Sequence, residues 1–425
     1  MKEKFNYGKI FLLGFGFFGV SIIWGIYNAF VPIFLSDKFG LSAVWIGFFM
    51  TLDNIAALFI QPPVGAWSDR LRTPIGRRMP FILVGAPVGA VVFGLIPLAA
   101  ALPVFVACTS TLILSMAIWR TPVVALMPDI TPSKFRSPAN GIINFMGGIG
   151  AIVALQTGGT LYKLSPSFPF WMGSALVILS AVLVFIFIKE PKEYQASQQE
   201  PDMFKSLRDI FSQPEKSELR LFWAIFFWFI GYSAVETFFT LYAKNHLGIN
   251  EADGATMLSV LPLFFVLFAI PSGWIAKRVG RRPTIAAGLV ILTIILALLY
   301  ITPAETLLAP VAPLPLVGIP LVEGGARMLT SAGVLLILGG IGWALININS
   351  LPMVVDMVED ARVGTYTGLY YLFSTFSAIV GPNVNGLAVQ LSGNNYNAIM
   401  LIAPFFMLMA LFLILGVRRG EAKTE

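Results

Sequence analysis

Charged residues are scarce in this chain. Only 12% of its 425 residues are Asp, Glu, Lys or Arg, while 57% are hydrophobic and mean hydropathy is +0.82. Soluble domains carry roughly 25% charged residues, so these cannot cover a globular surface. Cys108 is the single cysteine and lies within an apolar run, which excludes an intramolecular disulfide. His246 is the single histidine, beside Asn245, and reads as a solvated loop residue. One histidine, one cysteine and no nucleophile–base cluster argue against an integral membrane enzyme. No cofactor or metal is expected. The net charge of +6 follows from the placement of basic residues in loops, so no nucleic-acid partner is implied.

What is abundant is apolar sequence in stretches of about 20 residues, the length that crosses a bilayer core. Helical spans are predicted near 9–35, 41–67, 80–101, 104–128, 139–162, 168–189, 219–243, 252–276, 283–302, 331–356, 364–391 and 396–417. The first run is too long for a signal peptide and no small-residue cleavage site follows it. The fold class is therefore an all-α membrane protein of twelve transmembrane helices. Lys and Arg number 23 in the N-terminal segment, the 189–220 loop and the loops on that side, against 4 in the alternate loops. That bias places both termini in the cytoplasm of a cell with this chain in its plasma membrane.

The polar 189–220 loop divides the chain into a six-helix bundle at 1–188, a linker at 189–218 and a second bundle at 219–425. Within it Phe204, Leu207, Ile210 and Phe211 fall on one helical face, the pattern of an interfacial helix or of an ordinary amphipathic linker. The 303–330 connection is external, apolar and Pro-rich.

The two halves repeat. A shift of 208 residues carries Phe30 to Phe238, Gly40 to Gly248, Gly65 to Gly273 and Arg70 to Arg278. Beyond 303–330 the shift is 230, carrying Pro122 to Pro352 and Asp129 to Glu359. Equivalent spans are six apart, so the copies share one topology about an axis along the membrane normal. The clearest copy is a basic hairpin: Gly65, Asp69, Arg70, Gly76, Arg77 and Arg78 after span 2, echoed by Gly273, Lys277, Arg278, Gly280, Arg281 and Arg282 after span 8.

That hairpin resembles the signature loop of the major facilitator superfamily. The string from Gln61-Pro62-Pro63 to Met79-Pro80-Phe81, with Trp119-Arg120-Thr121-Pro122 and Asp129, is similar to the sucrose–proton symporter branch and its glycoside–cation relatives. The resemblance implies two pseudosymmetric six-helix bundles with spans 1 and 7 lining a central cavity. It also implies a sugar, a disaccharide or glycoside, moved by alternating access with a proton as coupling ion. One position departs from the branch: Thr109 stands where plant sucrose symporters carry an Asp eleven residues before the span-4 Arg, which leaves sodium coupling or facilitated diffusion open beside proton coupling.

An ionised side chain at mid-bilayer costs about 2.5–3.5 kcal/mol on insertion scales, so each one needs a reason. Arg120 in span 4 offers a planar fork of donors that suits sugar hydroxyls or a carboxylate. Asp53 lies in span 2, about 12 residues or roughly 18 Å along the helix from its external end. Burial favours the protonated form of a carboxylate and a nearby cation opposes it. A group balanced between the two can load and release a proton, which makes Asp53 and Arg120 the coupled pair, or else a permanent structural ion pair. Glu236 in span 7 stands opposite Asn28 of span 1 by the repeat and is the other candidate carrier. Trp24 and Tyr27 offer faces for a pyranose ring, and Asn144, Asn347 and Asn349 offer amides, although helix packing uses the same residue types.

The hairpin residues read as a gate, with Asp129, Asp356, Glu359 and Asp360 as partners for its cations. The chain is expected to work as a monomer in the lipid bilayer on a small-molecule sugar. The rival reading is an exporter of amphipathic compounds by proton antiport, which the 36 Phe residues accommodate. A receptor or scaffold has no use for an intramembrane Asp and Arg.

Overall fold

A computed structural model describes residues 7–131, 136–190, 215–315, 317–321, 325–358 and 362–421. Among these, twelve helices are long and apolar enough to cross a membrane. They are Tyr7–Lys38, Ala43–Arg70, Met79–Leu98, Leu102–Ile130, Ala139–Leu164, Phe168–Phe187, Ser217–Leu247, Glu251–Val279, Arg281–Ile301, Ser331–Val355, Thr365–Leu391 and Ala398–Leu415. They are referred to below as spans 1 to 12. Every expected span is present, and the ends move by a few residues. The amphipathic stretch at 204–211 lies outside the described residues.

The repeat extends to backbone irregularities. Spans 1 and 7 each finish in a π-helical turn, Phe34–Lys38 and Ala243–Leu247. Each then stops at a glycine of positive φ, Gly40 at 64° and Gly248 at 72°, a left-handed conformation that turns the chain out of the helix and that glycine adopts without the strain of a side chain. Spans 2 and 8 are each broken once. Ala43–Phe49 gives way to Leu52–Arg70, and Glu251–Leu258 to Val260–Val279. At the breaks the Thr51 hydroxyl donates to the Phe48 carbonyl at 2.7 Å and the Ser259 hydroxyl to that of Thr256 at 2.6 Å. A side-chain hydroxyl competing for a backbone acceptor is a local alternative to the helical ladder. Thr51 and Ser259 are 208 residues apart, the shift of the repeat.

The chain forms two compact units, and the breaks mark where they divide. Unit 1 holds the chain up to Gly40, Leu52 through span 6, and Glu251–Ser259. Unit 2 holds Leu41–Thr51, span 7, and everything from Val260 onward. Within unit 1, span 1 packs on spans 5 and 6, span 3 on spans 4 and 6, Leu52–Arg70 on span 4, and Glu251–Leu258 on span 5. Unit 2 repeats the scheme: span 7 on 11 and 12, span 9 on 10 and 12, Val260–Val279 on span 10, and Ala43–Phe49 on span 11. Small residues bring the helices close. A Cβ at Gly159 of span 5 would lie 2.5 Å from the Ala252 carbonyl oxygen, the kind of approach on which packing without a hydrophobic drive depends.

The 303–330 connection, read from sequence as an apolar loop, contains a small antiparallel sheet. Its strands are β1 (Pro310–Pro313), β2 (Ile319–Pro320) and β3 (Arg327–Thr330), with β3 in the middle. Thr330 then caps span 10, its hydroxyl accepting from the Gly333 N–H at 3.2 Å.

Candidate functional site

The break at Thr51 decides where Asp53 sits. Because Leu52 restarts the helix, Asp53 falls in its first turn, where the positive end of the helix dipole favours a carboxylate. Asn54 Nδ2 donates to it at 2.9 Å. Arg120 of span 4 acts electrostatically on this carboxylate, and the carboxylate in turn on Tyr27 of span 1, so three spans of unit 1 converge here. Arg120 is aimed by its neighbour: Trp119 is fully buried, with its Cβ 2.7 Å from where a Gly85 side chain would begin on span 3. The next residue along a helix points about 100° away.

Span 1 contributes two donors that have nothing to donate to. Trp24 Nε1 and Tyr27 Oη are buried and make no hydrogen bond among the described residues. Their rings meet edge to face at 5.5 Å. A buried donor left unpaired costs about 1–3 kcal/mol, and two of them on one span, with Tyr27 in the field of Asp53, mark a place for acceptors supplied from elsewhere. Asn28 is on the same span and half-buried.

The other expected site residues fall elsewhere. Asn144 is exposed, and its amide reaches back to the Asn140 carbonyl at 2.8 Å and side chain at 3.0 Å. Asn349 is buried and committed to the Ser272 hydroxyl and the Leu345 carbonyl, both at 2.9 Å; Asn347 is half-buried two residues earlier. Thr109, at the branch's Asp position, is buried and donates to the Phe105 carbonyl of its own helix at 2.9 Å. His246, expected in a solvated loop, sits in the π-turn of span 7 and stacks on Tyr242 at 5.1 Å.

Unit 2 holds a second group. Glu236 is exposed on a span whose surroundings are mostly buried. Tyr232, one turn away and within its electrostatic reach, stacks flat on Trp343 of span 10 at 3.9 Å and 6°. Phe229 meets the same indole edge-on at 5.4 Å. Sequence reasoning missed Tyr232 and Trp343, because aromatic residues in apolar spans carry no distinguishing pattern.

The hairpins are ion-pair networks internal to each unit. In unit 1, Asp129 accepts from Arg77 at 2.7 Å and from Arg78 at 3.0 Å, while Arg78 also reaches Asp69 and the Ser68 hydroxyl. The Arg77 and Arg78 side chains are only 11% and 5% exposed. In unit 2, Arg281 pairs with Asp356 and donates to the Pro352 carbonyl at 2.8 Å. Arg282 donates to the Leu415 carbonyl at 2.6 Å. Arg70 and Arg278 are exposed, a Cβ on Gly65 would lie 3.5 Å from the Thr121 methyl, and one on Gly273 would meet open space. Glu359 and Asp360 lie outside the described residues.

Each network carries a carboxylate that the sequence reading passed over. Glu190, just beyond span 6, accepts the backbone N–H groups of Arg77 at 2.9 Å, Arg78 at 3.0 Å and Met79 at 2.9 Å. Glu421, beyond span 12, accepts those of Arg281 at 2.5 Å and Arg282 at 3.0 Å. These are the orphan donors at the start of spans 3 and 9. The hairpin glycines follow from this: Gly76 and Gly280 have φ of 116° and 104°, and a Cβ on either would meet the capping carboxylate. A near-repeat was the available signal, since 190 plus 230 falls one residue short of Glu421.

The profile of the Major Facilitator Superfamily matches residues 13–333. Multidrug resistance protein 2 of Bacillus subtilis is 25% identical over 304 residues, 68% of this chain and 72% of the relative. Melibiose permease of Enterobacter cloacae is 26% identical over 331 residues, 71% and 73% of the two chains. Among solved structures, a bacterial homolog of the human lysosomal transporter Spinster superposes with a TM-score of 0.74 at 14% identity, covering 96% of both chains. A variant of the nucleoside transporter NupG gives 0.73 at 16% identity, covering 97% of this chain and all of the other. With twelve spans and this match across most of its length, the chain is a multi-pass membrane transporter that belongs to the Major Facilitator Superfamily.

Proposed function

We propose that this chain moves a sugar, a disaccharide or glycoside, across the plasma membrane by alternating access coupled to proton symport. Both termini are then cytoplasmic, a placement that the bias of basic residues between loops supports. The observation that carries the reading is the pair of unpartnered donors among the described residues, Trp24 Nε1 and Tyr27 Oη, with Tyr27 in the field of Asp53 and Asp53 in that of Arg120. A polyol presents acceptors for those donors and hydroxyls for the guanidinium fork and the carboxylate. An amphipathic cation would meet the charge of Arg120 and leave both donors unpaired.

Coupling follows from one charge acting on another. With Asp53 ionised, its carboxylate attracts Arg120 and competes for the guanidinium donors. When Asp53 takes a proton that competition ends, and Arg120 turns its donors to the solute. Proton and solute then load together and leave together. The hairpins act as gates by holding the ends of spans 2, 3 and 4 in unit 1, and of spans 8, 9 and 10 in unit 2, as rigid blocks. The melibiose permease relative, whose name is that of a sugar, supports the substrate class.

One observation favours a second reading, export of amphipathic cations. Glu236 beside the Tyr232–Trp343 stack combines a carboxylate with aromatic faces, a combination that attracts organic cations. A relative named for multidrug resistance agrees with it. Proteoliposomes separate the two. Symport predicts accumulation of a labelled disaccharide when the outside is made acidic; if instead only a lipophilic cation moves, and against the imposed proton gradient, the export reading stands.

A further inference from the structure

Lys277, Arg278 and Arg282 surround an open recess of about 690 Å³ in unit 2. We propose that this recess binds the headgroup of an anionic phospholipid, whose acyl chains lie along the apolar wall of Val279, Pro283 and Leu415. The proposal rests on the chain being a membrane protein and not on which solute it carries.

The argument begins with a charge imbalance between two copies of one hairpin. In unit 1 carboxylates answer the cations, with Asp129 and Asp69 together taking up Arg77 and Arg78. The repeat puts Lys277 where Asp69 stands. The second hairpin therefore gains a cation in the place where the first has a neutralising anion. Asp356 is engaged by Arg281. Arg282 has the Leu415 backbone carbonyl at 2.6 Å for a partner. Lys277 and Arg278 are exposed and make no ion pair among the described residues. Glu421 also faces the recess, but its oxygens hold the Arg281 and Arg282 N–H groups. Three cations thus meet one carboxylate that is already occupied, and the helix terminus has its first donors satisfied.

The walls identify the kind of anion. Val279 is 63% and Leu415 52% exposed, directly beside the cations. Trp274, one turn before Arg278, is 67% exposed, and indoles concentrate at the headgroup level of membranes. A free phosphate would use the charges and leave the apolar wall wet. A phospholipid uses both, and each basic side chain at an anionic surface contributes enough to be measured.

The test reconstitutes the full chain in vesicles of equal phosphatidylglycerol and phosphatidylcholine, extracts it gently, and counts retained lipid by native mass spectrometry. Phosphatidylglycerol should be enriched over phosphatidylcholine on the wild type, a result that needs no variant. Lys277→Gln/Arg278→Gln should weaken retention roughly 30-fold. Removing the same charge from the first hairpin, Arg70→Gln/Arg72→Gln, should leave retention unchanged. Excess inorganic phosphate should not displace the lipid. Equal retention of both lipids, an unaffected Lys277→Gln/Arg278→Gln variant, or displacement by phosphate would each overturn the assignment.

Discussion

Asp53 is held between opposing demands. Its place in the first turn of a restarted helix, the Asn54 amide at 2.9 Å and the nearby Arg120 all favour the carboxylate. A low-dielectric setting favours the acid. If that balance is the coupling device, Asp53→Asn should abolish uphill accumulation while leaving solute exchange at equal concentrations intact, measured as counterflow in proteoliposomes. Glu236→Gln should leave pH-driven accumulation in place; its loss there would move the proton to unit 2. The orphaned donors give a graded prediction. Tyr27→Phe removes one hydrogen bond to solute, about 0.5–1.5 kcal/mol, so apparent affinity should fall by roughly 2- to 13-fold with little change in maximal rate. A Tyr27→Phe variant with wild-type affinity would assign that hydroxyl to packing alone. The charged members of this group were legible in the sequence, because an intramembrane Asp or Arg stands out from apolar neighbours. The amides were not. Asn349 proved to be an interhelical bond to Ser272 and Asn144 a local one to Asn140, and nothing in a single Asn distinguishes those uses from ligand binding.

The hairpins show what a motif conceals. Gly-Arg-Arg was visible twice, and a turn was the natural reading of its glycine. The reason for that glycine is a carboxylate more than a hundred residues away, Glu190 for Gly76 and Glu421 for Gly280. Such a partner is fixed by the packing of span 3 on span 6 and of span 9 on span 12, which periodicity along one helix cannot reveal. The two caps differ in strength. Glu190 holds three N–H groups in a part-buried setting, and Glu421 holds two in an exposed one. Glu190→Gln should therefore cost about 2 kcal/mol and lower the unfolding midpoint of the detergent-solubilised protein more than Glu421→Gln does. Equal shifts would contradict the capping account. The breaks at Thr51 and Ser259 were equally hidden, since a Thr or Ser in an apolar helix usually bonds its own turn without interrupting it.

Twelve spans, their order and the twofold repeat follow from apolar run length and basic-loop spacing, and the folded chain has them all. The division into units adds cuts within spans 2 and 8 to one in the 189–218 linker. Hydropathy is blind to a cut within a span, as Thr51 and Ser259 change the average of a span very little. Duplication also conceals divergence: Asp69 and Lys277 occupy one position of the repeat with opposite charge, and the intramembrane Asp53 and Arg120 have no charged equivalents at Leu261 and Ser350. The unit 1 group is therefore where the proposed proton-coupled sugar movement would take place. The decisive measurement is uptake of a labelled disaccharide by proteoliposomes under an inwardly directed proton gradient, with Asp53→Asn in parallel. The account predicts transient accumulation above equilibrium by the wild type, and exchange without accumulation by the variant. A wild type that neither accumulates nor exchanges any saccharide would contradict it.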